Sequence, residues 1–317
     1  MAQTREPLVE AQPRVRRFSM ERCFGQHWLA AAADRHPPLA TLALGETVEV
    51  ETANSRNADL RPGVVVEAAP KRTEGYGNPV TGPFLVEGIR AGDWLAVHLE
   101  EIRVARYGYI RRGGPFLNRS RIVLEVRDGR VHLPGGVSVP ARPMLGVIGV
   151  IPIADSADPG SHGGNMDTVD IRAGSVFHVR AQRDGGWLVL GDAHGIQGEG
   201  EITCTGLEID AITRLRVERS AGFPCQNPVI ETADEWQTMT THPVWADAVR
   251  GAFAEMVELV RNRWGLSDEE ANVLVGTAAH VKNSSIWGVG GLCLGVGPYA
   301  ATVRVSLTRG VAREGAG

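Results

Sequence analysis

From residue 40 to 220 the chain alternates short apolar runs with glycine-rich breaks. Thr47-Val48-Glu49-Val50-Glu51 has the period of two expected of a strand with one buried face. Similar patterning predicts strands over 47–51, 63–68, 94–102, 122–126, 146–153, 175–180, 187–190, 201–208 and 213–218. Turn signals recur between them at spacings typical of a sandwich or barrel. The period then changes. Val249, Phe253, Met256, Val257 and Val260 recur mainly at steps of three and four, so 247–264 reads as a helix with one buried stripe. Ser267 followed by Glu270 is a capping-box pattern that starts a second helix. Strand character resumes over 292–307. The fold class is therefore mainly β with an α/β C-terminal part. A polar tail (1–24) precedes a β-sandwich-like body (25–215) and a smaller helix-containing part (216–317). The stretch 76–83 reads as a loop that covers a pocket.

Composition narrows the function classes. The 39 glycines among 317 residues exceed the usual share and fit many tight turns. A net charge of -4 gives no electrostatic case for nucleic acid. No apolar run approaches the roughly 18 residues needed to span a bilayer. Cys23, Cys204, Cys225 and Cys293 are scattered without a Cys-x-x-Cys pair, which argues against a structural zinc knot. With no N-terminal signal core, scattered thiols point to a cytoplasmic chain. A homodimer or larger symmetric assembly is the expectation for such a chain.

Candidate chemistry concentrates in two glycine-rich runs. In Gly191-Asp-Ala-His-Gly-Ile-Gln-Gly-Glu-Gly-Glu201, side chains two apart on an extended chain share a face, which pairs Asp192 with His194 and Glu199 with Glu201. The apolar stretch 187–190 feeds directly into this run, so its polar groups emerge at a strand end. The second run, His162-Gly-Gly-Asn-Met-Asp167, offers an imidazole, an amide and a carboxylate, while Gly163 and Gly164 leave backbone N–H groups open to a substrate oxygen. No Gly-x-Ser-x-Gly elbow occurs, which argues against serine hydrolase chemistry. The glycine-rich stretch 288–297 lacks the Lys-Ser or Lys-Thr ending of a phosphate-binding loop. His27 beside Trp28 reads as a packing pair.

Together these two runs resemble the acetamidase/formamidase family of metal-dependent amidases. Flanking segments agree in order: Gly82-Pro83-Phe84-x-Val86-x-Gly88-Ile89-x-x-Gly92-Asp93 and Arg142-Pro143-Met144-Leu145-Gly146-Val147-Ile148-Gly149. The resemblance spans roughly residues 25–300. It implies hydrolysis of a carboxamide C–N bond at a divalent metal, with zinc the first choice. A catalytic zinc takes three protein ligands and leaves a position open. Asp167, Asp192 and His194 are the expected set. Glu201, with Glu199 second, is the expected proton carrier, because a departing nitrogen must be protonated. Asn165 and the N–H groups near Gly163 and Gly164 are expected to stabilise the oxyanion. His162, Gly163, Gly164, Gln197 and Asn78 are the expected substrate contacts.

The chain departs from the family pattern at several positions. Asn78-Pro79 stands where a His-Pro pair is familiar, Glu199 where an Asp is usual, and 276–288 lacks two expected acids. Such changes alter pocket size and polarity. They leave open a larger amide or lactam, another metal-assisted reaction on a nitrogen compound, or a non-catalytic ligand-binding relative. The stretch 288–299 is expected to shape specificity.

Overall fold

The computed structural model describes residues 15–20, 23–25, 37–70, 72, 77–112, 120–151, 159–286 and 301–311. Two β layers face one another. In the first, the Glu208–Ser220 strand lies between Thr47–Thr52 and Trp94–Arg111, and Val176–Arg180 extends the layer beyond Trp94–Arg111. In the second, Met144–Val150 pairs with Gly163–Asn165 on one side and Leu188–His194 on the other, and Pro79–Val86 follows. Every one of these pairings is antiparallel.

The hydrophobic pattern explains the layering. Along Thr47–Thr52, Val48 and Val50 point into the core while Glu49 and Glu51 face outward, paired with Arg103 and Arg17. By contrast, Met144–Val150 and Leu188–His194 are buried at every position. Leu145, Ile148, Leu188 and Leu190 fill the space between the layers, and Val147 and Val189 pack with Val80 and Ile151 on the other face. A strand covered on both faces needs a continuous apolar run, and each such side chain contributes about 1.5–3 kcal/mol on burial.

The first layer continues into the C-terminal part. Val229–Glu231 joins Val176–Arg180 to Glu235–His242, and Ala301–Thr308 then lies between Glu235–His242 and His280–Ser285. Helices Trp245–Trp264 and Asp268–Ala278 cover this extension, packing Ala252, Met256, Leu259, Val260, Ala271 and Val275 with Trp236, Val305 and Leu307. Gly265, at φ 61°, ends the first helix. The Ser267–Glu270 capping box starts the second, as the pattern predicts. The mainly β fold class with a helix-containing C-terminal part is therefore observed, and position 215 falls inside a continuous strand. Among the described residues no helix is long and apolar enough to cross a membrane.

Four expectations are corrected. Residues 63–68 form no strand: Val66–Ala68 is a 3-10 turn, and Val65 is left exposed with no strand paired to it among the described residues. Residues 201–207 form a turn, because Glu201 and Cys204 adopt φ of 46° and 62°, and the strand begins at Glu208. Pro79–Val86 is a buried strand rather than a covering loop. Cys204 is disulfide-bonded while Cys225 is a buried free thiol, which also corrects the reading of four scattered thiols. The tail 1–14, His27, Trp28, Tyr76, Cys293 and the stretch 288–299 lie outside the described residues.

Candidate metal centre

At one edge the layers are joined where His194 pairs with Glu208. Five acid or imidazole side chains converge there. Asp167, His194 and Glu201 each offer a ligand atom, all within 4.8 Å of one another, and Asp192, His194 and Glu208 do the same. All five are buried, none more than 6% exposed.

Local backbone geometry aims these groups. Asp192 and His194 alternate on the last strand positions and share a face, as their spacing predicts. Asp167, Asp192 and Glu201 have φ of 48°, 51° and 46°, a left-handed conformation that costs an L-residue on the order of 1 kcal/mol or more. Such strain at three members of one cluster persists only where the surroundings enforce it. Gly146 is one enforcer: a Cβ there would stand 2.7 Å from Asp167 Oδ1 and 2.9 Å from Asp192 Oδ2, so the two carboxylates converge over a glycine. Gly206 is another, lying against the His194 ring, where a Cβ would come within 2.4 Å of Nδ1. The N–H of Gly206 also donates to Glu201 Oε1 at 3.1 Å.

Hydrogen bonds fix the His194 tautomer. Gln197 Nε2 donates to the Asp167 carbonyl at 2.7 Å, which turns Gln197 Oε1 toward His194 Nδ1 at 2.6 Å. An amide oxygen only accepts, so Nδ1 carries the hydrogen. Nε2 of the neutral ring is then a lone pair, facing Glu208 Oε1 at 3.3 Å and Asp192 Oδ1 at 3.7 Å. This arrangement of a ring oriented through its far nitrogen is that of a metal-ligating histidine.

The electrostatics are those of a site short of positive charge. Burial, then Glu208, pushes the Asp192 carboxyl up, and burial, then Asp167, pushes Glu201 well up. Burial alone would lower His194, yet facing Glu208 and Asp192 outweighs it and the imidazole is raised. Burial would raise Glu208 too, but His194 beside it holds that carboxyl down. Among the described residues, no Lys or Arg forms an ion pair with Asp192, Glu201 or Glu208. Buried carboxylates in excess of cations are costly unless a proton or metal joins them.

The structure gathers some of the expected residues and separates others. Asp167, Asp192, His194 and Glu201 meet, and Gln197 supports two of them from behind. Asn165 ends the neighbouring strand with its Oδ1 buried and, among the described residues, without a hydrogen-bond partner. Asn78 is half-buried, its N–H donating to the Ser55 carbonyl at 3.2 Å just before Val80 pairs with Gly191. Gly163 and Gly164 pair with Gly149 and Ile148, further along the strand from Gly146. A Cβ on Gly163 would meet the Ile148 carbonyl at 2.4 Å, so this glycine serves strand packing. His162 is buried beside Gly164, and burial pushes its imidazole down to about 4, leaving it neutral. Glu199 is half-exposed and engaged by Arg304 at 2.6 and 2.7 Å. Glu208 escaped sequence reasoning, since a carboxylate opening a strand carries no motif. Its pairing with His194 across the ladder is the signal, and that needs the fold.

The fold is that of the acetamidases. The crystal structure of an acetamidase from Bacillus halodurans is similar with a TM-score of 0.79 at 29% identity, covering 92% of this chain and 97% of that one. A predicted acetamidase/formamidase from Thermoanaerobacter tengcongensis gives 0.78 at 29% identity, covering 92% and 95%. Residues 153–292 match the Acetamidase/Formamidase family, and a formamidase from Methylophilus methylotrophus is 28% identical over 147 residues, 39% of this chain. The match spans 36%, about a third, of that curated relative's length. The resemblance of this chain to the acetamidase/formamidase family is therefore found in both sequence and fold.

Proposed function

We propose that the chain hydrolyses the C–N bond of a carboxamide, a small linear amide or a lactam, at a divalent cation, with zinc the first choice. The observation that carries this reading is the buried cluster in which Asp167, Asp192, Glu201 and Glu208 surround one imidazole whose Nε2 faces inward. Mixed carboxylate oxygen and imidazole nitrogen suit zinc, and the unbalanced negative charge suits any divalent ion. Asp167, Asp192, His194 and Glu208 would hold it. When bound, such an ion supplies Lewis acidity and brings the pKa of a water from about 15.7 to about 7.

The remaining chemistry falls to the chain's own groups. Glu201, with Gly206 donating to one oxygen, keeps the other available to take a proton from the attacking water and pass it to the leaving nitrogen. The nitrogen departs as ammonia or an amine while the carbonyl carbon becomes a carboxylate. Asn165 Oδ1, buried without a partner among the described residues, is available to an N–H of the substrate amide and would orient the carbonyl. Asn78 bears on substrate size. We also propose a homodimer or larger assembly working in the cytoplasm on a small amide, which light scattering and cell fractionation test.

The decisive experiment pairs metal analysis with one variant. The purified chain is expected to retain about one divalent ion, to release ammonia from a panel of amides and lactams, and to lose that activity on chelation. Glu201→Gln is expected to keep the ion and lose turnover by roughly 10²–10⁴-fold, the usual contribution of a general acid–base group. Full activity in metal-free protein sinks the proposal. Loss of the ion in Glu201→Gln would make Glu201 a ligand instead. Bound ion without hydrolysis would favour another metal-assisted reaction, and neither would favour a binding protein.

A further inference from the structure

Arg304 has no exposed surface, although it sits on the Ala301–Thr308 strand far in sequence from the acidic cluster. Its guanidinium is saturated. Nε donates to Ser284 Oγ at 2.9 Å, Nη1 to Asp170 Oδ2 at 2.6 Å and Gln237 Oε1 at 2.8 Å, and Nη2 to Glu199 at 2.6 and 2.7 Å. The two carboxylates come from informative places. Asp170 lies three residues after Asp167, and Glu199 lies two residues before Glu201. Ser284 adds a second tie to the Asp167 segment, since its Oγ is 2.8 Å from Thr168 Oγ1. The backbone ties the other segment to the same strand: Gly200 N–H donates to the Asn283 carbonyl at 3.2 Å, and Ile286 N–H to the Gly200 carbonyl at 3.2 Å.

We infer that Arg304 and Glu199 are positioning residues: one guanidinium, gripping Asp170 and Glu199, sets the separation of Asp167 and Glu201 across His194. This rests on the proposed metal-dependent hydrolysis. Arginine is suited to the task because its planar fork fixes two partners at defined angles, which a lysine ammonium does not. Glu201 sits in a strained turn, and its own backbone bonds are short-range: its N–H to the Gly198 carbonyl at 3.2 Å, and its carbonyl to Cys204 N–H at 2.8 Å. The Gly200 bonds to Asn283 and Ile286 tie the turn's backbone to the neighbouring strand. The grip on Glu199 adds a charged side-chain tie to the same strand, and it makes Glu199 an anchor outside the reacting atoms.

Glu199→Gln tests this with little risk to folding, because Glu199 is half-exposed and Arg304 keeps Asp170. Zinc affinity of the full chain is measured by calorimetry, with kcat and KM on a hydrolysed amide and the visible spectrum of the cobalt-substituted protein. Zinc affinity and kcat are expected to fall by roughly 10–100-fold, the usual cost of losing an outer support of a metal site, with KM little changed. The cobalt spectrum is expected to shift. Glu199→Asp, which keeps a carboxylate for the fork, should recover most of the loss, and Arg304→Lys should not. Folded Glu199→Gln with wild-type zinc affinity, kcat and cobalt spectrum overturns the inference. Wild-type chain that binds no zinc and works without metal overturns the functional reading first, and this inference with it.

Discussion

Arg304 and His194 are both wholly buried among carboxylates, but only Arg304 is matched by them. The guanidinium meets Asp170 and Glu199, and its remaining donors meet Ser284 and Gln237. The imidazole faces Asp192 and Glu208 through one nitrogen, with Asp167 and Glu201 close by. A balanced buried cluster is at rest and can serve as scaffold, whereas an acid-rich one is under tension until a cation joins it. The two clusters should therefore answer the same substitution with opposite signs. Asp170→Asn removes a partner from a buried guanidinium and is expected to cost about 3 kcal/mol in denaturant unfolding, with zinc affinity falling by no more than the roughly 10–100-fold expected of an outer support. Asp192→Asn is expected to leave the metal-free chain as stable or more so, while zinc affinity falls beyond the roughly 100-fold seen for outer supports. Equal destabilisation by both variants would erase the distinction.

Acidity sharpens the contrast next. Asp192 is raised to about 8 by burial and by Glu208, and His194 is raised because Glu208 and Asp192 outweigh its burial. Both hold protons in the folded chain where the unfolded chain has released them, so in chelated protein their contribution declines as pH rises from about 4 toward 8. Asp170 behaves oppositely. Burial would raise it, but Arg304 beside it holds the carboxyl below 3.8, so its contribution is present above the unfolded value and lost only as pH falls through the folded one. The melting temperature of chelated protein is thus expected to fall by several degrees between pH 5 and 8. Saturating zinc should flatten or reverse that slope, since ligation favours deprotonated groups. A flat profile without metal would mean that the cluster is not short of positive charge.

The same contrast explains what could be seen in the sequence. Asp192 and His194 were legible because a strand's period of two fixes which side chains share a face. Asp167 and Glu201 stood out because they close glycine-rich runs, and Gly206 and Gly146 prove to be the glycines that the cluster's packing requires. Glu208 was hidden, since its role depends on a cross-strand pairing and not on a local pattern. Arg304 was hidden for a related reason: a charged residue within an apolar run reads as solvated, and only coverage from both sides buries it. The expected shared face of Glu199 and Glu201 required an extended chain, but Gly200 and Glu201 turn left-handed and send the two carboxylates to different partners. In the fold, doubly covered strands and capped helices were plain from periodicity. The 63–68 run was not, because three consecutive valines look like a strand whether or not a neighbour exists to pair with them.

The smallest expected effect probes where the acidic cluster meets the neutral scaffold. Ser55 lies beside Glu208 and helps hold this carboxyl down after His194. Its Oγ is 2.5 Å from Tyr109 OH, and a hydroxyl has one hydrogen to give, so a Ser55 hydroxyl turned to the carboxylate takes its own hydrogen bond from the phenol. Burial, then Glu208, pushes the Tyr109 phenol up, so it stays a donor throughout the working range. The chain Tyr109 to Ser55 to Glu208 thus orients a carboxylate by neutral hydrogen bonds, where the Arg304 cluster uses charge. Tyr109→Phe removes the first link and leaves the ring packing in place. Its expected cost is about 1 kcal/mol of stability, the net value of one buried hydrogen bond, with zinc affinity reduced by only a few-fold because Ser55 can still donate. A loss of affinity as large as that in Glu199→Gln would show that neutral and charged supports orient the cluster equally, and the distinction between them would have to be abandoned.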